Sequence, residues 1–231
     1  MYRPLVSRLR ELELAESIAL ELLQLSVEQG LLSPGQTELT ASDGIRNLAE
    51  QQFGITQFWH KRIIRSGENT LHPYQVNPPV RTFEADDILF LDFGPVLQKW
   101  EADVGRTYVI GNDPLKCLLR DDTEKIWNLG RDFAQENKGI SGADIYAFMK
   151  EQAEFHGYLL GDQRHVGHLV GEFPHERIEN DTATSYLTPS NTQPLDRQDQ
   201  YGNQWHWILE CHLVSPKLGI GGFFEQLLKL E

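Results

Sequence analysis

Cysteine is nearly absent: Cys117 and Cys211 are the only two in 231 residues. They give neither a disulfide framework nor a CxxC spacing, so a reducing compartment is expected and thiol chemistry is not. Both read as core or near-core positions. Long apolar runs are missing as well, and no window approaches the roughly 18 uninterrupted apolar residues of a spanning helix. The first twenty residues carry charges throughout and have no small-residue cleavage site behind an apolar run, which argues against a secretory signal. Basic residues are in deficit, 21 Lys and Arg against 34 Asp and Glu, for a formal net charge of -13. Phosphate backbones need a basic face, so a nucleic-acid partner is not expected. With 40% apolar residues the chain can bury one substantial core. The expectation is one cytoplasmic domain over residues 1–231, without a separate N-terminal domain and without a membrane partner.

What is present is ordered helix, helix, strands, and then the same again. Leucines and isoleucines at mixed three- and four-residue spacing predict a helix from about Val6 to Gln29, stopped by Gly30. A second helix, SDGIRNLAEQQFG, would be capped by Thr40 or Ser42. β-Branched and aromatic runs follow in HKRIIRSG, DILFLDFGPV and KWEADVGRTYVIG. Helices are predicted from Pro114 to about Lys138 and from Ser141 to about His156, then strands between Tyr158 and Leu228. The polar stretch NDTATSYLTPSNTQPLDRQDQYGNQ reads as an exposed loop, and DDTEK at 121–125 as a solvated helix face. The repeated order suggests an internal pseudo-duplication.

In LDFGPVLQKWEAD, Asp92 and Asp103 flank an apolar segment with no basic neighbour. Folded as a hairpin in which paired residue numbers sum to 195, the two aspartates face each other. Opposed β-carbons in such a ladder are about 5 Å apart, and like charges there are destabilising unless a cation lies between them. Glu210 and Glu225 repeat the pattern in LECHLVSPKLGIGGFFEQL, opposed across a turn at Ser215 to Gly219. Glu210 sits in the apolar run WILECHLV, where a carboxylate is costly unless paired or ligating. RHVGHLVGEFPHE adds His165, His168 and His175. Carboxylates with an imidazole suit Mn, Co, Fe or Zn better than Ca or Mg. His206 and His212 share strand parity with Glu210; Trp205 and Trp207 take the other face, and Gly94, Gly105 and Gly167 suggest close backbone packing.

With these residues assembled, the chain resembles the pita-bread metallopeptidases, the group of methionine aminopeptidase, aminopeptidase P and prolidase. The resemblance implies an α+β pita-bread fold of two pseudo-symmetric halves with a curved antiparallel sheet. It implies two divalent metal ions, manganese first, held by Asp92 in LDFG, Asp103 in EADVGRTYVIG, His168 in GHLVGEFPHE, Glu210 in ILE and Glu225 in FFE. Asp103 and Glu225 would bridge both ions, Asp92 would bind one, and His168 with Glu210 the other. His72 in RSGENTLHPYQ and His175, followed by Glu176, match the family's substrate-site histidines. By the same resemblance, Glu210 exchanges protons while His72 and His175 donate hydrogen bonds to a peptide substrate. HPYQ and the HE pair resemble the Xaa-Pro peptidase branch. Phe223, Arg164, Leu169 and Cys211 depart from it, standing where those enzymes usually carry Arg, His, a small residue and Pro. Hydrolysis after an N-terminal residue by water activated at the metals is expected, with Xaa-Pro peptides preferred. Methionine aminopeptidase activity and a non-catalytic peptide- or protein-binding module stay open, and a homodimer is allowed.

Overall fold

The computed structural model describes residues 7–162, 164–175 and 183–230. Glu176 lies outside them. The first helix, α1 (Arg8–Glu28), starts at Ser7, whose hydroxyl accepts from Arg10 N. It buries Leu12, Ala15, Ala19, Leu22 and Leu23 along one stripe. The second, α2 (Glu38–Phe53), begins a turn earlier than the sequence suggests. Thr37 is the cap, exchanging hydrogen bonds with Thr40 in a capping box, and Gly54 closes the helix in the left-handed conformation. Thr40 is therefore the third residue of the helix and Ser42 lies inside it. An equally good capping pair three residues upstream satisfies more of the free amides.

Strands β1 (Ile63–Ser66), β2 (Asp87–Phe93), β3 (Val96–Leu97), β4 (Trp100–Glu101) and β5 (Val104–Ile110) follow, with a 3-10 turn at Gly67–Leu71. Helices α3 (Pro114–Glu136) and α4 (Gly142–Phe155) precede β6 (Leu159–Leu160), β7 (Gly167–Val170), β8 (His206–Ser215) and β9 (Ile220–Leu228). Ser141 caps α4 through a capping box with Asp144. In chain space the main antiparallel sheet runs β1-β2-β5-β9-β8-β6, with β7 also on β8. No described helix is long and apolar enough to cross a membrane.

Strand alternation sorts side chains to two faces. Leu89, Leu91 and Phe93 of β2 join the core built with α1 and α2. Trp207, Leu209, Cys211, Leu213 and Phe224 join the core under α3 and α4. The intervening residues Phe90, Asp92, Glu210, His212, Phe223 and Glu225 line a cavity of about 610 Å³.

Three more expectations change. The 92–103 hairpin pairs Val96 with Glu101 and Leu97 with Trp100, so paired numbers sum to 197 rather than 195, and Asp92 opposes Gly105. The turn is the tight pair Gln98-Lys99, with Gln98 at φ 57. The shift is an even number of residues, so both aspartates keep the same face. The DDTEK face is only partly solvated: Asp122 and Thr123 are buried, and Asp122 accepts from Tyr158 Oη at 2.7 Å. Within the polar stretch, Leu187, Asn191 and Leu195 are fully buried, and Leu195 O accepts the indole N–H of Trp207 at 2.9 Å. Its described part is a strap packed on the body.

Candidate metal centre

One rung of the sheet carries most of the acids. Asp92 pairs with Gly105, Gly105 with Glu225, and Glu225 with Glu210, so three carboxylates line up across four strands. Gly105 supplies no side chain in the middle of that row. A β-carbon there would sit 2.4 Å from the Phe223 ring, so the glycine lets that ring cover the strand. Asp103, two residues before Gly105, precedes β5 and shares its face. Gly167 has φ 146 and lies so close to β8 that a β-carbon would be 2.1 Å from Ile208 O, which brings His168 in from β7.

The five residues named from the sequence as ligands meet here. His168 Nε2 is 3.1 Å from Asp103 Oδ2, 3.7 Å from Glu210 Oε1 and 3.9 Å from Glu225 Oε1. Asp103, His168 and Glu225 can offer one ligand atom each within a common 4.8 Å. Burial pushes Asp92 up to about 7 despite the pull of His60, with Asp103 adding to the rise. It likewise pushes Glu210 up to about 8 against His168, and Glu225 well above the carboxylate range with Asp103 and Asp92 contributing. Burial would raise Asp103 too, yet the charge of His60 and hydrogen bonds from His168 and His60 hold it at about 2. Glu225 Oε2 is buried and accepts no hydrogen bond among the described residues. Four crowded acids, three of them resisting ionisation, together with an unfilled carboxylate oxygen and a nitrogen donor, fit divalent cations.

The two other histidines named from the sequence also line the cavity. His175 Nδ1 lies 2.7 Å from Glu101 Oε2, and its backbone N–H donates to Glu101 Oε1 at 3.2 Å, which fixes the ring's orientation. His72 follows the 3-10 turn. Its carbonyl accepts from Arg65 Nη1, and the same guanidinium reaches Pro73 O at 2.9 Å and Val76 O at 2.7 Å. Arg65 of β1 thus holds the loop that presents His72. His165 lies 3.6 Å from Glu210 Oε1, and burial pushes it down to about 4, so it stays neutral. His212 is buried with Nε2 2.8 Å from Thr70 O, whereas His206 faces a different hollow. Arg164 points instead to Asp162, at 2.5 and 3.0 Å. Phe223 packs with Ile63 and Phe90 as an apolar wall.

His60 was not anticipated. Its Nε2 lies 3.1 Å from Asp103 Oδ1 and 3.5 Å from Asp92 Oδ1. Beside it, the Trp59 indole meets the rings of His60, His168 and His175 edge-on, with centroids 4.5, 5.3 and 5.7 Å away. The segment FWHKR ahead of β1 offers no periodicity or spacing that ties it to the acids; its one visible signal is the adjacent Trp and His.

The chain matches the model of metallopeptidase family M24 over residues 10–199, and it belongs to that family. Among solved structures, the Xaa-Pro dipeptidase of Bacillus anthracis is 21% identical with TM-score 0.73, covering 94% of this chain and 56% of that one. The methionine aminopeptidase of Rickettsia prowazekii is 16% identical with TM-score 0.68, covering 95% of this chain and 92% of that one. Both share the fold expected from the sequence. A Mycoplasma pneumoniae protein provisionally named as an Xaa-Pro aminopeptidase is 24% identical over 168 residues, which span 69% of this chain and 45% of that protein. The chain thus matches about half the length of such Xaa-Pro peptidase relatives.

Proposed function

We propose that this chain is a metal-dependent exopeptidase that hydrolyses the bond after an N-terminal residue, with Xaa-Pro peptides as preferred substrates. The observation that carries it is the acidic rung, Asp92, Glu225 and Glu210 across four strands, closed by Asp103 and His168. Those five residues would hold two divalent ions, manganese first, which supply Lewis acidity and lower the pKa of water. Glu210, whose proton affinity burial raises, takes a proton from the attacking water and returns it to the leaving amine. His72 and His175 donate hydrogen bonds to the scissile carbonyl as charge develops on its oxygen, His175 being steered by Glu101. The wall of Ile63, Phe90 and Phe223 excludes water and suits an uncharged ring or side chain.

One observation favours methionine aminopeptidase activity as a second reading: Phe223 makes the wall apolar. A panel decides between them: purified protein with Mn(II), Co(II) or Zn(II), offered Xaa-Pro and Met-Xaa peptides beside an Asp103→Ala control. Turnover of Xaa-Pro peptides alone supports the proposal. Cleavage of Met-Xaa alone replaces it, and loaded protein that cleaves neither points to a binding module.

A further inference from the structure

We infer that His60 is a sixth ligand of the metal centre, supplying a nitrogen donor to the ion on the Asp92 side; this rests on the metal-dependent reading above. His60 lies outside the ligand set that the resemblance implies. The structure places it as the counterpart of His168. His168 Nδ1 is 2.8 Å from Leu169 O and its Nε2 is 3.1 Å from Asp103 Oδ2. His60 Nδ1 is 2.7 Å from Lys61 O and its Nε2 is 3.1 Å from Asp103 Oδ1. Each ring donates Nδ1–H to the carbonyl of the following residue, which leaves Nε2 facing one oxygen of the same carboxylate. With Nδ1 held by a carbonyl, Nε2, which faces Asp103, is the nitrogen that can give up its proton and offer a lone pair to a cation. His60, Asp92 and Asp103 can each bring a ligand atom within a common 4.8 Å, as Asp103, His168 and Glu225 do on the other side.

The position is built rather than incidental. Trp59 N–H donates to Gly94 O at 2.8 Å, and its indole N–H to Ala102 O at 3.0 Å, so both ends of the Asp92–Asp103 hairpin hold the Trp59-His60 pair. Gly94 makes the room: a β-carbon there would lie 2.3 Å from His60 Cδ2 and from Trp59 Nε1. The His60 side chain is 7% exposed. Without His60, the Asp92 side offers only oxygen; with it, a mixed set that favours Zn(II) and Co(II) over harder ions.

The test is metal titration of the metal-free protein, wild type beside His60→Ala, with bound equivalents read by calorimetry and elemental analysis. Wild type should bind two equivalents. His60→Ala should keep one tight ion and bind the second at least roughly tenfold more weakly, with a larger loss for Zn(II) than for Mn(II). A second ion bound as tightly as in wild type, or more tightly, overturns the assignment. If circular dichroism shows the variant unfolded, 15N-histidine NMR of the wild type decides. Zn(II) should shift His60 Nε2 while Nδ1 stays protonated, and an unmoved Nε2 overturns it. Wild type that loads through His60 but cleaves no peptide would remove the peptidase reading and leave the ligand assignment standing. Active wild type with unchanged binding in His60→Ala would do the reverse.

Discussion

Glu16 is a buried carboxylate and Glu210 a largely buried one, and they differ in what answers the charge. Glu210 faces other acids across the rung and is eased chiefly by His168. Replacing it with Gln keeps the volume and removes a proton-transfer group. Hydrolysis should fall at least about 100-fold, while the metal-free protein melts higher than wild type because one repelling acid is gone. Activity assays beside thermal melts check both halves, and a variant with full activity would remove Glu210 from the chemistry. Glu16 of α1 accepts Leu227 N–H at 2.8 Å, and burial raises its pKa despite that bond. A raised carboxylate pKa means the folded state binds more protons than the unfolded chain, so stability falls as pH rises from the unfolded value toward the folded one. Glu16→Gln keeps the acceptor and loses that dependence. Melting curves should show the variant above wild type at pH 7 and level with it near pH 3, and equal melting at both would refute this. At this scale the sequence was informative where a charge sits in an apolar strand, since WILECHLV exposes Glu210 by contrast with its neighbours. Glu16 hides among the many charges of α1, and His60 in a segment without period, so neither could be found by pattern.

The Asp92–Asp103 hairpin shows what parity delivers and what it leaves open. Side chains alternate with a period of two, so any even shift of register keeps both aspartates on one face. The difference between sums of 195 and 197 is set by the turn, where Gln98 adopts a left-handed φ of 57 that its residue type does not advertise. Glu210 and Glu225 were placed in their observed register because Pro216 and Gly219 mark their turn plainly. The cap of α2 was misplaced for a related reason: Thr37, Thr40 and Ser42 are all competent caps, and the capping box decides among them. Gly94 then links the hairpin to the segment ahead of β1. Gly94→Ala would drive a methyl group into Trp59 and His60 at 2.3 Å. The cost of such overpacking is about 1–3 kcal/mol. At roughly 2–4 °C per kcal/mol for a chain of this size, the melting temperature should drop by several degrees. Trp59 fluorescence should shift as the indole leaves Ala102 O. Unchanged melting and emission would mean the pair relocates freely.

Across the whole molecule, the order of elements was legible while their assembly was not. Periodicity names α1 to α4 and the strands between them, but the joint that closes the sheet is β5 on β9, where Gly105 meets Glu225 from 120 positions away. No local pattern encodes such a pairing; in the sequence it could be inferred only through the resemblance of the scattered ligands to a known set. That joint is also where the acids crowd, so the metal-free fold brings like charges together at its own seam. Asp92, Glu225 and Glu210 would each prefer water, and burial keeps them protonated or strained. Cations that bind only the folded chain should therefore stabilise it strongly. At a free concentration about 100 times Kd, one site contributes about 2.7 kcal/mol. The same conversion gives a rise in melting temperature on the order of 5–10 °C per ion. Asp103→Ala removes the carboxylate that answers both His60 and His168, so its metal-free form should melt below wild type and gain little from Mn(II), Co(II) or Zn(II). Scanning calorimetry of both proteins across a metal series separates this from general salt effects, because Mg(II) at equal ionic strength should move neither. A wild-type melting temperature indifferent to all three transition ions would show that the seam is closed by protons alone, and the acids would then need another explanation.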